Sequence, residues 1–259
     1  MANEWHEVPL QRLEAERDGE IVRVWLNRAE ARNAIDQQML EELGDLFLAF
    51  ETAFDVRLIV VAGKGPSFSA GADRREAAAP AASEREARYR QHLGRRAMRA
   101  IEDCSIPTLA RVQGHAAGGG SCIAASCDFR VTTDDCLWWV PEVELGTPLP
   151  WAGVPRLIQE IGMARARRYV LLSERIPGKL AEEWGLAHES CTDEAELDAA
   201  MARWEARLLA MPQMAVTLAK AHFRGYARAQ SLGDLSETDG DLSTLARQTD
   251  DFTERFRNF

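Results

Sequence analysis

Short apolar runs alternate with longer amphipathic stretches up to about residue 190. Four runs of strand length are rich in Val, Ile and Leu and predict strands: 21–26, 58–62, 108–112 and 129–132. Apolar residues at helical spacing predict a helix capped by Asp36 and further helices at 84–103, 118–126 and 153–173. Strands and helices that alternate in this way indicate an α/β fold.

The pattern changes near residue 190. Three helical segments follow with no apolar strand between them: 194–211, 213–229 and 241–257. We therefore divide the chain into a strand-containing core, 1–190, and a helical region, 191–259. Since the helical region is too thin to bury a core alone, we expect it to pack on the body or on another subunit.

Composition narrows the function classes. The net charge of −10 provides no overall positive field, so we expect no nucleic-acid partner. The five cysteines are odd in number and form no CxxC pair, which favours free thiols in a reducing compartment over a zinc site. The first residues do not resemble a signal peptide and no apolar run reaches the length of a membrane span, so we expect a cytoplasmic protein without a membrane partner.

Two runs of small residues stand out, Ser67–Asp73 and Gly114–Gly120. Each follows an apolar run, where backbone N–H groups can remain unpaired and close to a ligand. Two such donors that converge on one oxygen form an oxyanion hole, which stabilises negative charge on a carbonyl. Simple turn geometry is the alternative explanation for either run alone.

Five segments, in order, resemble motifs of the crotonase (enoyl-CoA hydratase/isomerase) superfamily: LNRAEARNA at 26–34, FSAGAD at 68–73, GHAAGGG at 114–120, CDFRV at 127–131 and PEVELG at 141–146. The resemblance implies a spiral of ββα units with a C-terminal helical oligomerisation region. It also implies an acyl-CoA thioester substrate and assembly as a homotrimer or a dimer of trimers. No metal, flavin or nicotinamide is implied, because coenzyme A is part of the substrate.

The same resemblance assigns site residues. The N–H groups of Ala72 and Gly119 are expected to form the oxyanion hole, and the carbonyl of Ala70 to face the adenine of coenzyme A. The other positions expected to bind the substrate are Arg28, Gly71, Gly118, Cys122 and Trp139. Arg255 and Phe256 occupy positions where the family often supplies a basic and an aromatic residue from a neighbouring subunit.

The acid–base residues depart from the hydratase pattern. Hydratases of the family use two glutamates, and the first position is here Cys122, whose thiol is a poor base at neutral pH. The second is present as Glu142. One carboxylate beneath a thioester enolate suffices to move a proton between two carbons, as in the single-glutamate isomerases of the family. We therefore expect enoyl-CoA isomerisation, with Glu142 as base and acid.

Several alternatives remain open. The chain is alternatively a hydratase that activates water by other groups, or a CoA-ester-binding homologue that has lost activity. Glu144 is a rival carboxylate, for which we favour a structural role, as we do for Asp73, Asp128 and His115. Residues 74–88 are either a mobile, partly disordered surface segment or a lid over a ligand tail.

Tryptophans surround the predicted base in the sequence. Trp138, Trp139 and Trp151 flank Glu142 and predict an apolar environment that raises its pKa, although we expect at least two of the three to fill the core. The stretch 148–151 (PLPW) replaces the glycine-rich PGxGG of many family members, which leaves the acyl-chain preference open.

Overall fold

The computed structural model describes residues 5–77, 81–230 and 239–258. Its strands are β1 (Leu13–Asp18), β2 (Ile21–Leu26), β3 (Leu58–Gly63), β4 (Thr108–Val112), β5 (His115–Ala117), β6 (Phe129–Thr133), β7 (Leu137–Trp139), β8 (Ile176–Pro177) and β9 (Glu189–Cys191). Its helices are α1 (Gln37–Ala49), α2 (Arg74–Ala77), α3 (Glu84–Asp103), α4 (Gly119–Ser126), α5 (Gly153–Leu171), α6 (Gly178–Trp184), α7 (Glu194–Leu209), α8 (Gln213–Gln230), α9 (Asp239–Ala246) and α10 (Asp250–Asn258).

A six-stranded sheet in the order β1-β2-β3-β4-β6-β9 forms the centre of the molecule. The β1–β2 pair is antiparallel, and every later pair is parallel. Alternate residues of β3 point to opposite faces, and all are buried because helices cover both sides. Ile59 and Val61 face α1 and α3, whereas Leu58 and Val60 face α7.

A smaller sheet in the order β5-β7-β8 stands beside the first. Strand β5 begins three residues after β4 ends, so the small sheet brings the second glycine run next to the main sheet. Its strands β5, β7 and β8 have only two or three residues, too few for the sequence to show a period, and the sequence did not predict them. The sequence also did not predict β1 and β9 of the main sheet.

Most of the predicted elements agree with the structure, but two predicted helical segments are interrupted. In the segment predicted at 153–173, the backbone of α5 is non-helical at Gly162 (φ +75°, ψ 160°). The segment predicted at 241–257 is divided into α9 and α10. Thr249 accepts a hydrogen bond at Oγ1 from the Phe252 N–H (3.2 Å) and so caps a new helix start. In the 74–88 segment, helical residues lie at both ends, and Ser83 caps α3 through the Glu86 N–H. Residues 78–80 of that segment lie outside the described residues.

The C-terminal helices pack on the body of the same chain. On α8, Lys220 donates to the Ile106 carbonyl (2.9 Å) and to Asp128 Oδ2 (2.6 Å). On α9, Asp241 pairs with Arg88 of α3 at 3.0 Å. None of the helices in the described ranges has the length and apolarity needed to traverse a lipid bilayer.

Candidate active site

The two small-residue loops lie side by side, joined by backbone hydrogen bonds. The Ser69 N–H donates to the His115 carbonyl (2.9 Å), and the Ala117 N–H donates to the Ser69 carbonyl (3.0 Å). The Ser69 hydroxyl donates to the Asn33 carbonyl (2.8 Å) and accepts from the Gly71 N–H (3.1 Å). The spacing of the loops is therefore set mainly by main-chain groups.

Ala72 is fixed by its neighbours. The Ile35 N–H donates to the Gly71 carbonyl, and the Asp73 N–H donates to the Ile35 carbonyl, both at 2.8 Å. Gly71 has φ +88°, and a Cβ placed on it would lie 2.8 Å from the Ala117 carbonyl oxygen and 3.7 Å from the Gly119 nitrogen. Only glycine allows the loops to approach this closely.

The amides of Ala72 and Gly119 have no hydrogen-bond acceptor within the part of the chain that the structure describes. Gly119 is the first residue of α4, where the N–H groups point out of the helix and the helix dipole favours negative charge. Gly118 precedes it with φ +47° and donates its own N–H to the Trp139 carbonyl (2.7 Å). This arrangement suits an anionic oxygen between the two loops.

The carboxylate of Glu142 lies directly against Gly118. A Cβ placed on Gly118 would lie 2.6 Å from Glu142 Oε1. Oε2 is completely covered and has no hydrogen-bond partner among the described residues. Because burial disfavours the charged form, the pKa of Glu142 is raised from 4.5 to about 7, as the sequence predicted in direction.

Cys122 lies on α4, all of whose residues are buried. A Cβ placed on Gly153 would lie 3.0 Å from its sulfur and 2.6 Å from Leu149 Cδ2. The thiol is thus packed under the loop that precedes α5, in the place where hydratases are expected to carry the first glutamate. Its surroundings are those of a small apolar side chain.

The three tryptophans have different environments. Trp138 is fully buried and donates to Thr132 Oγ1 (3.2 Å). The Arg175 guanidinium lies 4.1 Å from the centre of the Trp139 ring, and Arg175 also approaches Glu144 at 3.6 Å. Trp151 is half-buried, with its ring between α3 and the start of α4.

A cleft of about 710 Å³ opens beside the first loop, and Arg28, Ala70, Ala72, Asp73, Arg74 and Phe256 are among its lining residues. Arg28 donates to Asp73 Oδ2 (3.0 Å) and to the Ala34 carbonyl (2.6 Å), and it lies 3.3 Å from Asp36. It therefore holds the loop in place, and its predicted contact with a CoA phosphate stays a prediction. Asp73 also accepts from the Arg75 N–H (3.0 Å), in keeping with the predicted structural role.

Phe256 packs against Arg74 of the same chain, with the guanidinium 5.6 Å from the ring centre. The sequence had assigned this aromatic position to a neighbouring subunit; within one chain it already reaches the cleft. A separate cavity of about 730 Å³ lies between α5 and α8 and contains none of the predicted site residues.

Asn33 is a site residue that sequence reasoning missed. It is fully buried, and its side-chain amide donates to the carbonyls of Lys64 (2.9 Å) and Ser67 (2.8 Å). It thus anchors the first loop at its start. An Asn at the end of a polar turn is typical of the left-handed backbone that Asn33 adopts, with φ +54°. Its hydrogen-bond partners could not be predicted, because they are distant in the sequence.

Comparisons with known proteins identify the family of the chain. The profile of the family described as Enoyl-CoA hydratase/isomerase matches residues 16–259. A crotonyl-CoA hydratase of Syntrophomonas wolfei is 33% identical over 207 residues, 80% of this chain and 78% of that protein. A probable enoyl-CoA hydratase of Bacillus subtilis is 35% identical over 165 residues, and the match spans 64% of each protein.

Solved structures show the same fold. The enoyl-CoA hydratase/isomerase of Mycobacterium paratuberculosis superimposes with a TM-score of 0.87 at 24% identity, covering 98% of this chain and 100% of that one. That of Xanthobacter autotrophicus gives 0.86 at 26% identity, covering 96% and 93%. The chain therefore belongs to the enoyl-CoA hydratase/isomerase family of enzymes, within the crotonase superfamily.

Proposed function

We propose that the protein isomerises the double bond of an enoyl-CoA thioester, with Glu142 as the only acid–base group. The observation that carries the proposal is the placement of the Glu142 carboxylate. It lies against Gly118, the residue before Gly119, and its Oε2 is completely covered and unpartnered among the described residues. A thioester oxygen that accepts from the Ala72 and Gly119 amides would bring its α-carbon to this carboxylate.

The reaction needs one base and no water. The ionised carboxylate removes a proton from C2 of a 3-enoyl-CoA, and the electron pair moves onto the thioester oxygen to give a dienolate. The two amides stabilise this oxygen, a contribution of about 3 kcal/mol for each donor. The protonated Glu142 then returns the proton at C4, which leaves a 2-enoyl-CoA and the carboxylate as it began.

The acidity of Glu142 fits this role. A group that takes up and returns the same proton works best with a pKa near the working pH, and burial raises that of Glu142 to about 7. The apolar surroundings that the sequence predicts thus bring the pKa of Glu142 close to the value that suits proton transfer.

Hydration of a 2-enoyl-CoA is the second candidate, because relatives with up to 35% identity are named as hydratases. Hydration requires a second group that orients and activates water. At the position of the missing glutamate the structure has the buried thiol of Cys122. We favour isomerisation for this reason.

The test is turnover of purified protein on 2-enoyl-CoA and 3-enoyl-CoA substrates, with Glu142→Gln and two control variants. We expect conversion of 3-enoyl-CoA without release of 3-hydroxyacyl-CoA, and a loss of about 1,000-fold or more in Glu142→Gln. Cys122→Ala and Glu144→Gln should retain activity within a few-fold. Hydration faster than isomerisation, or full activity in Glu142→Gln, would contradict the proposal.

Assembly as a homotrimer or a dimer of trimers stays a prediction. It is supported by exposed apolar side chains on α8, including Leu218, Phe223 and Tyr226. Sedimentation equilibrium measures the assembly directly.

A further inference from the structure

Two consecutive residues before α5 have left-handed backbones although both carry side chains. They are Trp151 (φ +64°) and Ala152 (φ +56°). Each such residue costs about 1 kcal/mol or more, so the conformation persists only where the surroundings hold it. Strain of this kind is concentrated at functional sites.

Arg156 holds the strained pair. Its side chain is almost fully buried, and Nη1 donates to the carbonyls of Trp151 (3.0 Å) and Ala152 (3.2 Å). Its Nε forms an ion pair with Glu102 of α3. The turn is thereby fastened to α3 as well as to α5.

The strained turn places the Trp151 indole between two helices. A Cβ placed on Gly94 of α3 would lie 2.1 Å from Nε1, and one placed on Gly119 would lie 2.1 Å from Cζ3. The ring therefore fills the gap between α3 and the start of α4, with its pyrrole edge on one glycine and its benzene edge on the other. A larger residue at either position would overlap the ring unless the ring moved.

The indole adjoins the reacting atoms of the proposed reaction. It contacts Gly119, whose amide is a proposed oxyanion donor, while Glu142 contacts the adjacent Gly118. An acyl chain that leaves a thioester bound at Gly119 in the direction of α3 meets the face or edge of this ring. Glu142 and the indole of Trp151 thus contact two adjacent residues, Gly118 and Gly119, at the start of α4.

We propose that Trp151 is the specificity-determining residue of the acyl site and restricts it to short acyl groups. The proposal rests on the proposed acyl-CoA function. A large, rigid aromatic ring that packs on two glycines, and whose backbone carbonyl is held by a buried arginine, would form a fixed end to an acyl chain directed toward α3. Truncation of the ring opens the gap between α3 and α4 to longer chains.

The experiment compares kcat/KM for 3-hexenoyl-, 3-octenoyl- and 3-decenoyl-CoA in the wild type, Trp151→Ala and Trp151→Leu. We expect the wild type to favour the shortest chain, and the ratio of octenoyl to hexenoyl kcat/KM to rise at least about tenfold in Trp151→Ala. Trp151→Leu, which leaves less empty space, should shift the ratio in the same direction. Ratios that stay within about twofold of the wild type in both folded variants would overturn the proposal.

A binding measurement separates this inference from the proposed reaction. Calorimetric dissociation constants of hexanoyl-CoA and octanoyl-CoA are compared in the wild type and in both Trp151 variants. The ratio of the two constants should shift toward octanoyl-CoA in the variants whether or not isomerisation occurs. Binding without isomerisation in the wild type would refute the proposed reaction alone, whereas an unchanged ratio would refute the role of Trp151 alone.

Gly94→Ala tests the position of the ring from the other side, because Gly94 contacts the ring from α3. The added methyl should displace the indole toward Gly119 and lower kcat/KM at least about tenfold for hexenoyl-CoA. In the Trp151→Ala background the same methyl has space, and no further loss is expected. Equal losses in both backgrounds would show that Gly94 does not act through the ring and would count against the proposal.

Discussion

Replacement of Glu142 by glutamine is expected to stabilise the protein while it abolishes activity. Burial raises the pKa of Glu142 from 4.5 to about 7, so the folded protein binds a proton that the unfolded chain has lost between these values. Stability rises with pH only where the unfolded state binds more protons. Here the folded state binds more, and the contribution of Glu142 to stability falls as the pH rises from 4.5 to about 7.

The size of the effect follows from the interval. At about 1.4 kcal/mol for each pH unit, the span from 4.5 to about 7 corresponds to about 3 kcal/mol. The glutamine side chain of the variant has nearly the same size as the glutamate and no charge to desolvate. The stability of the variant relative to the wild type should therefore increase by about 3 kcal/mol between pH 4.5 and about pH 8, and change little outside that range.

The assay is urea unfolding of both proteins at several pH values, with the midpoint and slope recorded at each. Glu144→Gln is the control on the same turn, since its carboxylate is reached by solvent and its ion pair with Arg175 at 3.6 Å is weak. Its difference from the wild type should stay within about 0.5 kcal/mol throughout. The reasoning is refuted if the Glu142→Gln difference is the same at about pH 5 and about pH 8.

Two further substitutions, each with a comparison variant, test the active site and the packing of α8. Gly118→Ala should lower kcat about 100-fold and destabilise the protein by about 1–2 kcal/mol, because φ is +47° and the new Cβ would lie 2.6 Å from Glu142 Oε1. The control Gly44→Ala has open space around its Cβ and should be neutral or stabilising in the same unfolding assay. Asp128→Ala should destabilise by about 3 kcal/mol, since it leaves the buried Lys220 ammonium without its carboxylate, and Lys220→Met should restore part of the loss in a double variant. An undiminished loss in the double variant would argue against the ion pair as the cause.

The sequence predicted the parts of the fold that are long or strongly patterned. The predicted helix at 84–103 matches α3, and the strand at 58–62 lies within β3, because a buried parallel strand is a continuous apolar run. Strands of two or three residues, such as β5 and β8, carry no measurable period. The break between α9 and α10 depends on a cap by Thr249, which a periodic pattern does not register.

The site was predictable where function depends on the main chain and less so where it depends on packing. Small residues after strands indicated the two loops, and the family resemblance assigned Ala72 and Gly119 within them; both amides have no acceptor among the described residues. The contact of Trp151 with Gly94 joins residues that are far apart in sequence, and no local pattern announces it. The engagement of Arg28 by Asp73 likewise becomes visible only in three dimensions.

Because the donors of the paired loops are backbone N–H groups, evolution can change some parts of the site more easily than others. Proline is the only standard residue without a backbone N–H, so every other substitution at Ala72 keeps this donor. In the proposed mechanism the group that stabilises charge is therefore inherited with the fold, whereas the groups that move protons are side chains open to replacement. In that mechanism, a change of side chain at position 122 alters the set of acid–base groups and leaves the Ala72 and Gly119 amides in place. New chemistry in this architecture requires a new side chain rather than a new scaffold.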